Sequence, residues 1–117
     1  MIPVENSQSR PLVVMPMVSE AGKKAEWRDG VRTGATLKDS KGRDLFACKA
    51  LVLLEGRVVP VGLTVAVDPG EMKLMHHYKA VGVALLTPYV RNGDLCFSLA
   101  CDAIEPLRTN AQRVSPA

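Results

Sequence analysis

The chain has 117 residues and a formal net charge of +3, from 15 basic and 12 acidic residues. This length fits one domain with one core, and an apolar content of 47% excludes disorder over the whole length. Only 4% of the residues are aromatic, so the core must be built from Val, Leu, Ala and Met. No stretch approaches the ~20 apolar residues of a membrane helix, and the polar N-terminus lacks the apolar run of a signal peptide. We therefore expect a cytoplasmic protein.

Residues 1–10 are polar and are expected to form a flexible N-terminal segment. The apolar run that follows, residues 11–19, predicts the first strand. Within it Pro16 favours an edge or a bulge, because proline lacks the N–H donor of a ladder. We expect one folded domain over residues 11–107 and a flexible, polar tail over residues 108–117.

A basic segment, residues 20–43, separates the first strand from the second. It contains seven Lys or Arg residues against four acidic residues. Asp29-Gly30 and residues 39–42 are typical turn sequences. We interpret the segment as a long mobile connection with a short strand at residues 31–37, and an ordinary solvated loop is the alternative to a binding loop.

Residues 45–54 and 57–67 predict a long two-stranded hairpin around the turn Glu55-Gly56. Apolar residues occupy the even positions of the first strand and the odd positions of the second, so these positions should face the core. The predicted core residues are Phe46, Cys48, Ala50, Val52, Leu54, Val59, Val61, Leu63, Val65 and Val67. The opposite face of the second strand carries the small residues Pro60, Gly62, Thr64 and Ala66, which leave that face open.

A short helix is predicted between the third and the fourth strand. Asp68 is a favourable N-cap, Pro69 fits the first helical position and Glu71 completes a capping box. The helix would cover residues 69–76, one or two turns. The methionines that would then close one end of a barrel are Met72 and Met75.

The C-terminal part of the chain predicts a second hairpin. Residues 79–86 are apolar, residues 95–104 alternate between apolar and polar, and Asn92-Gly93 supplies the positive φ angles of a tight turn between them. The predicted core residues are Val81, Val83, Leu95, Phe97 and Leu99.

These elements predict an all-β fold: a five-stranded OB-like barrel with one short helix between strands 3 and 4. Short, regular strands without a βαβ unit argue against a parallel sheet. A plain small barrel or sandwich is the alternative.

The sequence also resembles a known group of proteins. The resemblance is carried by PLVV at residues 11–14, WRDGVRTG followed by KDSKGRDLFACKALVL, VPVGLTVAV, and YKAVGVALLTPYVRNGDLCFSLACDAIEP. The chain is similar to small OB-fold single-stranded-DNA-binding proteins, most of all to accessory proteins of actinobacterial plasmids and integrative elements. The similarity extends over residues 10–107. It implies binding of single-stranded DNA, with RNA as an alternative, in the replication or transfer of a mobile element.

A protein that binds single strands needs cations for phosphates and aromatic faces for bases. The candidates are Lys23, Lys24, Trp27, Arg28, Arg32, Lys38, Lys41, Arg43, Lys49, Arg57, Tyr78, Lys79, Tyr89 and Arg91. Trp27 is the most informative, because it lies in a polar, basic segment that borders the usual ligand face of an OB fold. The alternatives are that Trp27 folds over the barrel as an anchor and that both tyrosines are edge residues. Phe46 is a less favoured stacking residue and is expected in the core.

Other chemistry finds little support in the sequence. Cys48, Cys96 and Cys101 lack metal-like spacing and are expected to be small, reduced apolar residues in strands. His76 and His77 are adjacent and point about 100° apart on a helix, which disfavours chelation of one metal. The sequence contains no nucleophile elbow, phosphate loop or HExxH motif. We expect no enzyme, no metal and no cofactor.

Two further hypotheses remain beside nucleic-acid binding. The first is a protein-interaction or regulatory OB module that has lost the nucleic-acid face, which the shortage of aromatic residues favours. The second is an oligomeric structural protein whose open strand edges pair with another subunit. We expect a homodimer or homotetramer, since multivalency extends the reach of small proteins that bind single strands.

Overall fold

The alternating patterns of the chain organise into strands, most of which join in a single sheet. The computed structural model describes residues 2–107, apart from the side chains of Trp27 and Arg28. The strands are β1 (Ile2–Val4), β2 (Val13–Pro16), β3 (Gly22–Lys23), β4 (Ala25–Arg28), β5 (Val31–Thr36), β6 (Phe46–Leu54), β7 (Arg57–Val65), β8 (Tyr78–Val81), β9 (Ala84–Arg91), β10 (Asp94–Cys101) and β11 (Ala103–Pro106). Within residues 2–107 nothing forms a helix with the length and apolar character required to cross a membrane.

Nine of the strands form one sheet that curls into a half-barrel. Neighbouring strands run in the order β1-β9-β10-β7-β6-β2-β8-β11, with β3 beside β6. In this sheet β7 and β10 run parallel, and the other paired strands of the described chain run antiparallel. β4 and β5 form a separate two-stranded hairpin. The all-β prediction is confirmed, but the described chain has eleven strands where five were expected.

Three hairpins share one turn chemistry. Asp29-Gly30, Glu55-Gly56 and Asn92-Gly93 each combine two consecutive positive φ angles, between 50° and 82°. Two positive φ angles in a two-residue loop match the right-handed twist of the flanking strands, and glycine reaches such angles without strain. The predicted turns at Glu55-Gly56 and Asn92-Gly93 are therefore confirmed.

The core lies on the inner face of the half-barrel. Leu63 of β7 stands opposite Leu99 of β10, and both side chains are 0% exposed. Val14 of β2 stands opposite Val52 of β6, and these side chains are also fully buried. The alternation predicted for the first long hairpin is confirmed, except that Val67 lies beyond the end of β7 and is half exposed.

The predicted helix at residues 69–76 is wrong. Asp68 does accept a hydrogen bond from the Gly70 N–H, at 2.9 Å, but Gly70 then adopts a φ of +68°, which ends any right-handed helix. Two of the N–H groups that follow donate to carbonyls of the distant segment at and just after the end of β2, instead of to a helical turn. The bonds are Met72 N–H to Ser19 O and Met75 N–H to Pro16 O. Met72 is buried in the core as expected, whereas Met75 is half exposed.

The closing hairpin is broken where continuous strands were predicted. Gly82 has a φ of +85°, and a Cβ at this position would overlap the carboxylate of Asp102. Both strands bend here, so β8 pairs with β11 and β9 pairs with β10. Of the predicted core residues, Leu99 is buried, but Val83 in the break is 72% exposed and Leu95 near the hairpin end is 65% exposed.

The N-terminal residues take part in the sheet. β1 pairs with β9, with Ile2 opposite Leu86, although flexibility was expected for residues 1–10. Asn6 then holds two segments together through its side chain: Nδ2 donates to Ala80 O at 2.8 Å, and Oδ1 accepts from Leu12 N–H at 2.9 Å. The amide therefore pairs backbone groups that the irregular segment after β1 would leave without partners.

The basic segment between β2 and β6 is ordered into strands. β3 pairs with β6, and β4 and β5 form the hairpin, so the strand expected at residues 31–37 is confirmed as β5. The base of this hairpin is fixed by backbone hydrogen bonds from Lys24 N–H to Leu45 O and from Leu37 N–H to Lys24 O. Pro16 ends β2, beyond the two residues that pair with β8.

Candidate functional site

The outer face of the sheet, opposite the core, carries a row of small residues. Strand alternation puts odd residues of β6 and β9 and even residues of β7 and β10 on this face. Lys49 stands opposite Gly62, and Gly62 stands opposite Ser98. Ser98 stands opposite Thr87 of β9. A row of small residues, Gly62, Ser98 and Thr87, thus crosses three strands, with Lys49 beside it on β6.

A groove of about 660 Å³ lies at the end of this row, where Lys49 stands beside Gly62. We call it the outer groove, and its lining comprises residues 47–50 of β6, 59–62 of β7 and 95–97 of β10, with Met17, Tyr89 and Arg91. No acidic residue belongs to this lining, all of which lies in the described part of the chain. Lys49 contributes positive charge from β6 and Arg91 from β9. The groove therefore favours a ligand that carries negative charge.

Tyr89 supplies the aromatic surface of the outer groove. It stands opposite Cys96 on β10, and its side chain is 41% exposed. The sequence placed Tyr89 in the turn after the fourth strand, but β9 continues through Arg91, so the ring belongs to a strand on which neighbours fix its direction. The residue remains a candidate for base stacking.

The other aromatic candidates are placed differently. Tyr78 is 8% exposed and lies in the core, where its hydroxyl accepts a hydrogen bond from Lys73 N–H at 2.9 Å. Tyr78 therefore does not present a ring to the outer groove. Phe46 packs against the core. The backbone of Trp27 pairs with Arg32 across the β4–β5 hairpin, and its side chain lies outside the description.

The candidate cations differ in whether another side chain binds them. Lys49 and Arg91 form no ion pair with any described residue, and the same holds for Lys23, Arg32, Lys41 and Arg57, which are exposed. Lys24 reaches onto the outer face, where its Nζ donates to Thr64 Oγ1 at 3.2 Å. Ion pairs engage the remaining candidates: Lys38 with Asp44, Arg43 with Asp39 and with Asp102, and Lys79 with Glu105. Arg28 belongs to β4, and its side chain is outside the description.

Arg43 joins two separate parts of the chain. Its Nε donates to Asp39 Oδ2 at 2.7 Å, and its NH2 group donates to Asp102 Oδ1 at 3.0 Å. Asp39 also accepts the Arg43 and Lys41 N–H groups. The pKa of Asp39 is held below its ordinary value of 3.8. The largest cause is the hydrogen bond from the Arg43 backbone N–H, and the Arg43 guanidinium lowers the pKa further. This candidate is therefore held by structural contacts at the break in the closing hairpin.

Acid should destabilise the protein through this contact. Because the pKa of Asp39 is lowered in the folded state, its contribution is present above the ordinary pKa of 3.8 and is lost as the pH falls through the lower folded value. We expect the urea midpoint to fall as the pH drops below about 4. The Asp39→Asn variant keeps one side-chain oxygen as an acceptor but has no carboxyl group to titrate, so it should show a shallower fall. Equal pH dependence in the two proteins would remove Asp39 from the explanation.

Two of the three cysteines are poor nucleophiles. Burial raises the pKa of Cys101 to about 11 and also raises the pKa of Cys48, so both thiols stay protonated at neutral pH and are weak nucleophiles. His76 and His77 are exposed. Within the described residues no group of three or more His, Cys, Asp or Glu is arranged to hold a metal ion.

Several residues of the outer groove were not candidates in the sequence. Met17 follows β2, and Cys96 was treated only as a small apolar residue of a strand. The small residues Pro60 and Gly62, which leave one face of their strand open, are the one sequence signal that points to the groove. The sequence does not show that β10 lies beside β7, so it could not identify the other residues of that face.

Comparison of the chain with protein-family models, with curated proteins and with solved structures found no match.

Proposed function

We propose that this chain is a non-enzymatic protein that binds single-stranded nucleic acid, with DNA preferred over RNA, in the outer groove. One observation carries the proposal: the groove combines the exposed ring of Tyr89 with Lys49 and Arg91 and has no acidic lining residue. Single strands offer phosphate charge and open base faces together, whereas a duplex hides the base faces. The resemblance to plasmid accessory proteins favours a role in the replication or transfer of a mobile element.

The strand order supports an OB-like barrel with additional strands. The path β2-β6-β7-β10-β9 has the order of the first, second, third, fifth and fourth strands of an OB fold. The parallel pair β7 with β10 corresponds to the third and fifth strands of that Greek-key barrel. Ligands of OB folds bind on the face of the second and third strands. Those strands correspond to β6 and β7, and both line the outer groove.

The β4–β5 hairpin supports a second contact region. It lies in the connection between β2 and β6, which corresponds to the loop that borders the ligand in OB folds. Its strands contain Arg28 and Arg32, and the exposed Lys23 belongs to the preceding strand β3. Trp27 pairs in register with Arg32. We propose that this hairpin contacts the part of the bound nucleic acid that extends beyond the groove. Its cations would bind phosphates, and Trp27 would stack on a base.

Binding should weaken steeply with salt. If Lys24, Arg32, Lys49 and Arg91 neutralise about four phosphates, the slope of log affinity against log salt concentration should be about −3 for a single strand. The fluorescence of Trp27, the single tryptophan, should report binding of an oligothymidylate. Absence of binding at low salt, or an affinity that does not change with salt, would exclude the proposal.

A matched pair of lysine variants sharpens this measurement. Lys49→Ala removes a groove cation and should reduce the steepness of the slope by about 0.7. Lys79→Ala removes a lysine that is paired with Glu105 at 2.9 Å and does not line the groove, so the slope should stay unchanged. Equal effects of the two substitutions would mean that the charge of the whole protein, and not the groove, sets the affinity.

A second candidate function is a protein-interaction module. Val90 and Leu95 stand opposite each other near the end of the β9–β10 hairpin and are 71% and 65% exposed. Such an exposed apolar pair favours contact with another protein or with a second copy of the chain. A protein partner captured without any shift of nucleic acid would favour this function. Light scattering would distinguish a monomer from the homodimer or homotetramer that we propose.

A further inference from the structure

Gly62 occupies the interior of a central strand. It is paired on both sides, with Lys49 of β6 and with Ser98 of β10. A glycine at such a position weakens a strand, because it adds backbone entropy to the unfolded chain and has no side chain to pack. Its presence therefore needs a reason in the backbone conformation, in the packing or in a ligand.

Neither conformation nor packing requires this glycine. The φ of Gly62 lies outside the left-handed region, and a Cβ built on it would meet no atom within 4 Å. Gly82, by contrast, is required for both reasons, since it has a positive φ and no room for a Cβ. Apart from Gly62, Gly22 is the one described glycine that combines an ordinary φ with open space, and Gly22 does not line the outer groove. Close approach of a ligand is a further reason for a glycine within a strand, and it fits the place of Gly62 in the lining of the outer groove.

We propose that Gly62 is the position at which one nucleotide of a bound single strand crosses the sheet. This inference rests on the proposed function. Lys49, Gly62, Ser98 and Thr87 occupy successive strands, so together they span three strand spacings, about 14 Å. Tyr89 lies two residues along β9 from Thr87. A single strand lying across Gly62 would meet the Lys49 ammonium with one of its phosphates and the Tyr89 ring with one of its bases.

The missing side chain determines what this groove admits. Gly62 faces outward by strand alternation, so any side chain there would project into the groove between the cation and the ring. A flat floor lets the sugar and base approach the backbone of β7 and Cys96 of β10. Gly62 is therefore a positioning residue, which acts by leaving room and not by contact chemistry of its own.

The test is the Gly62→Val variant. Valine suits a central strand and has open space, so the melting temperature should stay unchanged or rise. The dissociation constant for a labelled oligothymidylate at low salt should rise at least about tenfold, the equivalent of losing one stacked base. Gly62→Ala, with a smaller side chain, should give an intermediate rise. Gly22→Val is the matched control and should leave the affinity unchanged.

The outcomes separate this inference from the function on which it rests. If the unmodified protein does not bind the oligonucleotide, the proposed function fails. If it binds and Gly62→Val binds equally well, the inference about Gly62 is overturned and the proposed function stands. A lower melting temperature for both Gly62 variants would overturn the inference by showing a structural need for glycine. A change in oligomeric state without loss of binding would also overturn it, since the approaching group would then be another protein chain.

Discussion

Leu63→Ala should lower the free energy of unfolding by about 2–5 kcal/mol, the largest stability loss that we expect from a single substitution. Leu63 is 0% exposed and sits in β7 between Cys48 of β6 and Leu99 of β10. These strands hold one another on both sides of the side chain, so the cavity left by the truncation cannot collapse fully. Urea unfolding followed by circular dichroism measures the change.

Leu95→Ala provides the matched control for Leu63→Ala. It makes the same truncation in the same sheet, but Leu95 is 65% exposed. The loss should stay within about 0.5 kcal/mol, as for other surface positions. Similar losses for the two variants would mean that the core is not centred on the inner face of β7 and β10. A large loss for Leu95 alone would indicate that the hairpin end is covered in solution by another chain.

Tyr89→Ala should raise the dissociation constant for single-stranded DNA about 5- to 150-fold, because a base stacked on an aromatic ring contributes ~1–3 kcal/mol. The ring is 41% exposed in the outer groove, so the free energy of unfolding should change little. Fluorescence anisotropy of a labelled oligothymidylate measures the affinity, and thermal unfolding provides the check on the fold.

Tyr89→Phe separates stacking from hydrogen bonding at the same position. Phenylalanine keeps the ring and loses the hydroxyl, so the affinity should remain close to that of the unmodified protein. If Tyr89→Phe and Tyr89→Ala weaken binding equally, the hydroxyl and not the ring contacts the ligand. If neither affects binding, Tyr89 is an edge residue and the bases stack elsewhere.

Local chemistry made the turns of this fold predictable. Glu55-Gly56 and Asn92-Gly93 adopt the two positive φ angles that their glycines favour, and the strands on both sides follow from alternation. The capping signals at Asp68 predicted a helix that does not form. Gly70 adopts a positive φ, and the N–H of Met72 donates to a carbonyl of a distant segment. Tertiary hydrogen bonds outweighed a local helix preference of one or two turns, which is marginal on its own.

The candidate site was only partly predictable, for a related reason. Residue type alone identified Lys49, Tyr89 and Arg91 as possible contacts. Which residues come together depends on the register of β6, β7, β10 and β9, and the parallel pairing of β7 with β10 has no local sequence signal. In the same way, Arg43 has one partner four residues away and another, Asp102, that only the folded sheet brings near.

The pairing of β1 with β9 has a consequence for how the chain reaches its native state. It joins Ile2 to Leu86, so the first strand cannot take its place before most of the sequence has been synthesised. β6 and β7, in contrast, are adjacent in the chain and can pair as soon as both have emerged. Such long-range closures slow folding, because the entropy of a large loop is lost before its contacts form. β1 is thus made long before its partner β9 and docks late, and the half-barrel is completed only after β9 exists.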